Sequence, residues 1–127
     1  MPRLIEAPVI IQAAGNKPKR IEEFVGLPST GTPGVSVARM TSPEGWVEPG
    51  QRPEFREITL VLEGTLVVEF EGGRHEVRAG QAIVTEPGEW VRYGTPAPGG
   101  ARYVAVCLPA FTPASVHRDQ AAGPVGP

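Results

Sequence analysis

One cysteine, two histidines, two tryptophans and two tyrosines are all that this chain of 127 residues offers of the side chains most used for redox chemistry, metal ligation and aromatic recognition. A lone Cys107 excludes an intramolecular disulfide and any CxxC metal or redox motif. It sits in "ARYVAVCLP", a buried-strand pattern in which it serves as a small apolar filler. Charge of either sign is equally sparse. The net charge is −2, and the densest basic group is the spaced Lys17, Lys19 and Arg20. A phosphate-tracking surface needs a concentrated basic face, so nucleic acid is not expected as a partner. The apolar stretch from Ala7 to Ile11 is shorter than a signal-peptide core and far shorter than a membrane span. These absences predict a soluble, cytoplasmic protein with no membrane partner. The phosphate-cradling loop, nucleophile elbow and dinucleotide fingerprint are missing as well.

Turn residues, in contrast, are abundant. Sixteen glycines and fifteen prolines fall between short apolar runs instead of forming a repetitive tract. Runs rich in Val, Ile, Thr and aromatics recur at intervals of about eight to twelve positions between them, the signal of an all-β sandwich or barrel. Strands are expected near 9–12, 35–41, 57–63, 65–71, 74–78, 81–86, 90–94 and 101–108. Hairpin turns are expected at Glu63-Gly64 and at Glu71-Gly72-Gly73. The one helical expectation is Lys19 to Val25, where "PKRIEEFVG" opens on a proline and closes on Gly26. The length suits one domain with a genuine core, residues 1–112, followed by a tail, residues 113–127, loosely ordered at its end. A double-sheet jelly roll or small barrel hides the edges of such strands.

The stretches "EITLVLEGTLVV" and "RAGQAIVTEPGEWVRY" resemble the two motifs of the cupins, a family of double-stranded β-helix barrels. The first family motif ends in Glu, six residues and Gly, matched by Glu57 and Gly64. The second runs from Gly through Pro-x-Gly to a histidine, matched by Gly80 and Gly88. The likeness covers roughly residues 35 to 108 and departs at the metal ligands. Gln51 and Pro53 stand at the histidine positions of the first motif, Val91 stands at the histidine of the second, and Glu86 replaces the proline. A site of three histidines and a glutamate cannot be assembled from His75 and His117. His75 reads as an exposed strand residue at the outer end of a hairpin, and His117 reaches the barrel mouth only if the tail folds back.

Strand alternation places Glu57, Thr59 and Val61 on one face and Ile58, Leu60 and Leu62 on the other. With Glu57 inward, the second set needs cover, and a symmetric homodimer supplies it. The same parity turns Val91 and Tyr93 inward. The expected ligand-binding set is therefore Gln51, Glu54, Glu57, Thr59, Val91 and Tyr93, with Trp46 near the mouth and Arg39 as a possible partner of Glu57. Trp46 also reads as a loop anchor packed on the barrel. A carboxylate in an apolar barrel needs donors or a cation. Arg56, Arg52, Arg39, Gln51 or a bound ion are the candidates, and a Glu57 held in this way is either a satisfied structural group or, with a raised pKa, an acid–base group. Oxygen ligands such as Gln51 and Glu57 suit hard ions, so no cofactor is expected beyond a weakly bound divalent metal.

Three functions follow. The first is a small-molecule-binding barrel without the usual three-histidine site. The second is an enzyme of isomerase, cyclase or lyase type, using Glu57 as an acid–base group or an atypical Gln/Glu metal site. The third is a dimeric barrel with a plugged interior and a structural or regulatory role.

Overall fold

The computed structural model describes residues 1–119; residues 120–127, where loose order was expected, lie outside the described part. The chain forms strands β1 (Val9–Ile11), β2 (Arg20–Val25), β3 (Ser36–Ser42), β4 (Trp46–Val47), β5 (Arg56–Phe70), β6 (Gly73–Arg78), β7 (Ala82–Thr85), β8 (Val91–Thr95) and β9 (Ala101–Leu108). Two single-turn helices accompany them, α1 (Leu27–Thr30) and α2 (Pro113–Val116). All strand pairings are antiparallel, so the all-β jelly-roll expectation holds.

β5 organises the molecule because it belongs to two sheets. Its first half pairs with β7 and β9 in the order β7–β5–β9–β3–β2–β1, and its second half pairs with β6 and β8 in the order β6–β5–β8–β4. The hairpin expected at Glu63-Gly64 is therefore a corner within one strand, and the two strands expected on either side of it are continuous. Gly64 has φ 77°, and the register against β9 shifts between Val61 and Glu63. A bulge beside a left-handed glycine bends a strand without reversing it. The shift also exchanges the faces: Glu57, Thr59 and Val61 are buried before the corner, Leu66 and Val68 after it. The other hairpin is as expected, with Phe70 opposite Gly73 across Glu71-Gly72.

Lys19 to Val25 is a second correction. Arg20–Val25 is a strand between β1 and β3, with Ile21 opposite Met40 and Glu23 opposite Ala38. Sheet pairing along both edges outweighs the weak helical propensity of this segment. The inward carboxylate at Glu23 hid the alternation, and it is satisfied locally by the backbone N–H and hydroxyl of Ser29.

The main core lies between the sheets, with Trp46, Val61, Leu66, Val68, Val77, Val91, Tyr93, Ala101 and Tyr103. Burying each large aliphatic side chain contributes about 1.5–3 kcal/mol. A smaller cluster joins Phe55, Cys107 and Val116, with Phe111 packed against it, so Cys107 is the small buried filler expected. Val116 comes from the tail. Thr112 caps α2, and residues beyond it run antiparallel to the 50–54 segment, with Glu54 N–H donating to Ser115 O (2.9 Å), Arg52 N–H to His117 O (3.2 Å) and Asp119 N–H to Gly50 O (2.7 Å). The described part of the tail is thus strapped across one end of the barrel.

Candidate functional site

A cavity opens inside the barrel between the sheets and the tail, with a volume of about 60 Å³. That is room for roughly four to six water molecules. β5 supplies Glu57 and Thr59 from its inward face, and β8 supplies Tyr93. The chain after β4 continues along β8: Glu48 N–H donates to Tyr93 O (3.2 Å), and Gln51 and Val91 exchange backbone hydrogen bonds of 2.9 Å in both directions. This ladder turns Glu48 and Gln51 inward, leaving them 7% and 5% exposed. Both line the cavity.

Glu57 finds its partner in Tyr93, whose hydroxyl donates to Glu57 Oε1 at 3.2 Å; the Tyr93 and Thr85 hydroxyls lie 3.3 Å apart. Burial raises the Glu57 pKa, opposed by the charge of Lys19, by the Tyr93 hydrogen bond and by Arg118. Burial pushes Glu48 up to about 7, with Lys19 and Arg118 opposing and the neighbouring charge of Glu57 reinforcing. Burial and the adjacent carboxylates hold the Tyr93 phenol well above its usual range, so it stays a donor. Two buried side-chain oxygens, Glu48 Oε2 and Gln51 Oε1, have no hydrogen-bond partner among the described residues. A buried acceptor without a donor costs about 1–3 kcal/mol, a cost that a bound donor removes.

The expected site residues thus separate into two groups. Gln51, Glu57, Thr59 and Tyr93 line the cavity; Arg39, Glu54, Trp46 and Val91 do not. Arg39 lies on the opposite face of β3, where its guanidinium makes a two-pronged pair with Glu22 at 2.9 and 3.2 Å. Glu54 is exposed and paired with the His117 ring, whose place in the strap brings the tail to the mouth without turning this imidazole into the cavity. Trp46 is core, 1% exposed, with its indole N–H donating to Ala14 O at 3.0 Å. Val91 packs in the same core. Arg56 and Arg52, also candidates for Glu57, pair with Glu86 and Glu71. His75 is exposed on β6 and stacks on Phe70.

Four charged lining residues were not foreseen: Glu23, Glu48, Lys19 and Arg118. Glu48 was legible in the alternation of Trp46-Val47-Glu48, which is buried, exposed, buried. Lys19 was hidden by the helical reading of its segment. It projects over the Trp46 ring, 4.0 Å from the centroid. Arg118 reaches the mouth only because the tail folds back.

The family model for the cupin domain matches residues 38–107, more than half of the chain. The chain is a cupin. Its metal site is not that of the resemblance: Gln51, Pro53 and Val91 take the three histidine positions, and the described residues contain no cluster of three His, Cys, Asp or Glu placed to hold an ion. The donor set of this cupin does not fit a transition metal.

Among solved structures, this cupin is similar to a putative ethanolamine utilization protein, EutQ, of Salmonella typhimurium LT2, at 25% identity over 73% of this chain and 71% of that one, with a TM-score of 0.61. It shares its fold with a protein of Thermotoga maritima described as a predicted oxalate decarboxylase, at 20% identity over 81% of this chain and 92% of that one, with a TM-score of 0.68. The protein called endoribonuclease YbeY of Myxococcus xanthus (strain DK1622) is 46% identical over 101 residues, 80% of this chain and 34% of that protein. The chain therefore spans about a third of the length of this curated relative.

Proposed function

We propose that this cupin is a small-molecule-binding barrel whose ligand sits against Glu48, Gln51, Glu57 and Tyr93 without a transition metal. The observation that carries the reading is the pair of unpartnered buried oxygens, Glu48 Oε2 and Gln51 Oε1, on residues that line the barrel cavity. A hydrogen-bond-donating ligand satisfies both. A side chain plugging the interior would have met these acceptors itself, which argues against a purely structural barrel. Glu57→Leu removes one wall of the site and abolishes binding of such a ligand by calorimetry; binding with unchanged affinity refutes the reading. Metal analysis of tag-free protein purified without chelator gives well below one ion per chain on this reading, and a stoichiometric ion contradicts it.

The endoribonuclease activity named for the Myxococcus protein belongs to a polypeptide of which this chain matches about a third. Nucleic acid is accordingly no part of the proposal.

An acid–base enzyme is the second reading, favoured by two buried carboxyls, Glu48 and Glu57, whose charges interact. A carboxyl whose pKa is raised to about 7 beside a second buried carboxyl is an arrangement suited to moving a proton on a bound substrate. Glu57→Gln separates the two: lost turnover with retained binding supports catalysis, and lost binding alone supports a receptor.

The proposal also includes a symmetric homodimer in the cytoplasm. The outer face of the larger sheet carries a row formed by Val84, Ile58, Val106 and Val37, with Ala82, Leu60 and Val104 beside it in register. Leu60, Leu62 and Val84 are 43%, 45% and 53% exposed. An apolar face crossing four strands is covered by its own copy through a two-fold axis at no cost in new complementarity.

A further inference from the structure

The chemistry of the cavity wall narrows the ligand class further, on the basis of the reading that the cavity is a ligand site. We propose that the cavity takes a small zwitterion, an ammonium and a carboxylate a few bonds apart, with the ammonium among Glu48, Gln51 and Glu57 and the carboxylate toward Lys19 and Arg118.

Three acceptor side chains line the cavity. Glu48 Oε2 and Gln51 Oε1 are unpartnered and more than nine-tenths buried, and Glu57 receives a single side-chain donor, the Tyr93 hydroxyl. An ammonium presents three donors and a full positive charge, so it answers all three acceptors with charge-assisted bonds. A neutral hydroxyl has one donor and leaves at least one buried acceptor unmet.

The opposite requirement comes from the cations. Lys19 and Arg118 line the same cavity, and their charges act on both Glu48 and Glu57. Among the described residues neither forms an ion pair with a carboxylate. Lys19 instead rests its ammonium on the faces of Trp46 and Tyr103, at 4.0 and 5.2 Å from the ring centroids. A simple amine would leave Lys19 and Arg118 without an anionic partner, and a simple carboxylate would bring a negative charge against Glu23, Glu48 and Glu57. A zwitterion supplies a cation to the acceptors and an anion to Lys19 and Arg118. The volume of about 60 Å³ suits a small molecule of this kind.

Calorimetry on the tag-free full chain with glycine, β-alanine, ethanolamine and glycolate tests this. Ethanolamine lacks the carboxylate and glycolate lacks the ammonium. Glycine or β-alanine is expected to bind, with ethanolamine and glycolate each about tenfold weaker or more, the loss associated with one charge-assisted hydrogen bond. Lys19→Met is expected to erase the preference over ethanolamine, and the near-isosteric Glu48→Gln the preference over glycolate, with melting curves checking that both variants fold. Ethanolamine or glycolate binding as tightly as the zwitterions overturns the inference and leaves the cavity a ligand site. Failure of all four probes to bind the wild-type chain overturns the inference as well. In that case a Glu57-dependent hit from a broader set of small donors keeps the cavity reading, and none removes it.

Discussion

Inside the barrel the hydroxyl of Tyr93 donates to Glu57 Oε1 across 3.2 Å, joining the inward faces of β8 and β5. Tyr93→Phe removes that donor and leaves a buried carboxylate with one bond fewer. A loss of about 1.5–3 kcal/mol is expected, as for a hydrogen bond to a charged group. The Glu57 pKa rises further, so the loss, read from denaturant midpoints, is larger at alkaline than at acidic pH.

Glu48 gives the protein a distinct pH profile. Its folded-state pKa is raised from 4.5 to about 7, so between these values the folded chain holds more protons than the unfolded one. Stability from this group is therefore full below about pH 4.5, falls as pH rises toward 7, and is level above it, by on the order of 3 kcal/mol. Glu48→Gln is expected to flatten that part of the profile and to be more stable than the parent at about pH 8. Urea titrations at a series of pH values check it, and an unchanged slope would show that Glu48 does not titrate in this window.

The strap is held by one apolar anchor. Val116 is 1% exposed against Phe55, Cys107 and Phe111. Val116→Ala is expected to cost about 2 kcal/mol and to speed hydrogen exchange at Arg52 and Glu54, whose amides donate to the tail. Normal protection at those two amides would mean that the tail docks without its anchor.

Leu60→Asp places a charge on the outer apolar face, in register with Ala82 and Val104. Light scattering at micromolar concentration is expected to give a dimer mass for the parent and half that mass for the variant. A monomeric parent contradicts the dimer.

Gly64→Ala tests the corner of β5. A Cβ there would lie 2.1 Å from Gly100 O, on a residue with φ 77°. Backbone must move to admit it, and a loss of about 3 kcal/mol or more in chemical denaturation is expected. A near-neutral result would mean that the corner tolerates a different backbone path.

Much of the fold was legible because alternation and turn chemistry are local. "EITLVLEG" carries its own two faces, and the inward placing of Glu57, Thr59 and Val61 follows from parity alone. The absence of a three-histidine site followed from counting two histidines. Local reading failed where a segment's partners are distant. Arg20–Val25 became a strand because β1 and β3 flank it, and Gly64 bent a strand where a two-residue turn would have ended it.

By itself, then, the sequence determined an all-β cupin barrel, a carboxylate at Glu57 turned into it, and side chains other than imidazole at the usual ligand positions. Only the tertiary structure decided what surrounds that carboxylate. Tyr93 meets it, Glu48 arrives from the chain after β4, Lys19 from the segment before β2, and Arg118 from the folded-back tail. The charge state and partners of a buried group are set by which remote segments close over it, and desolvation comes from all of them together.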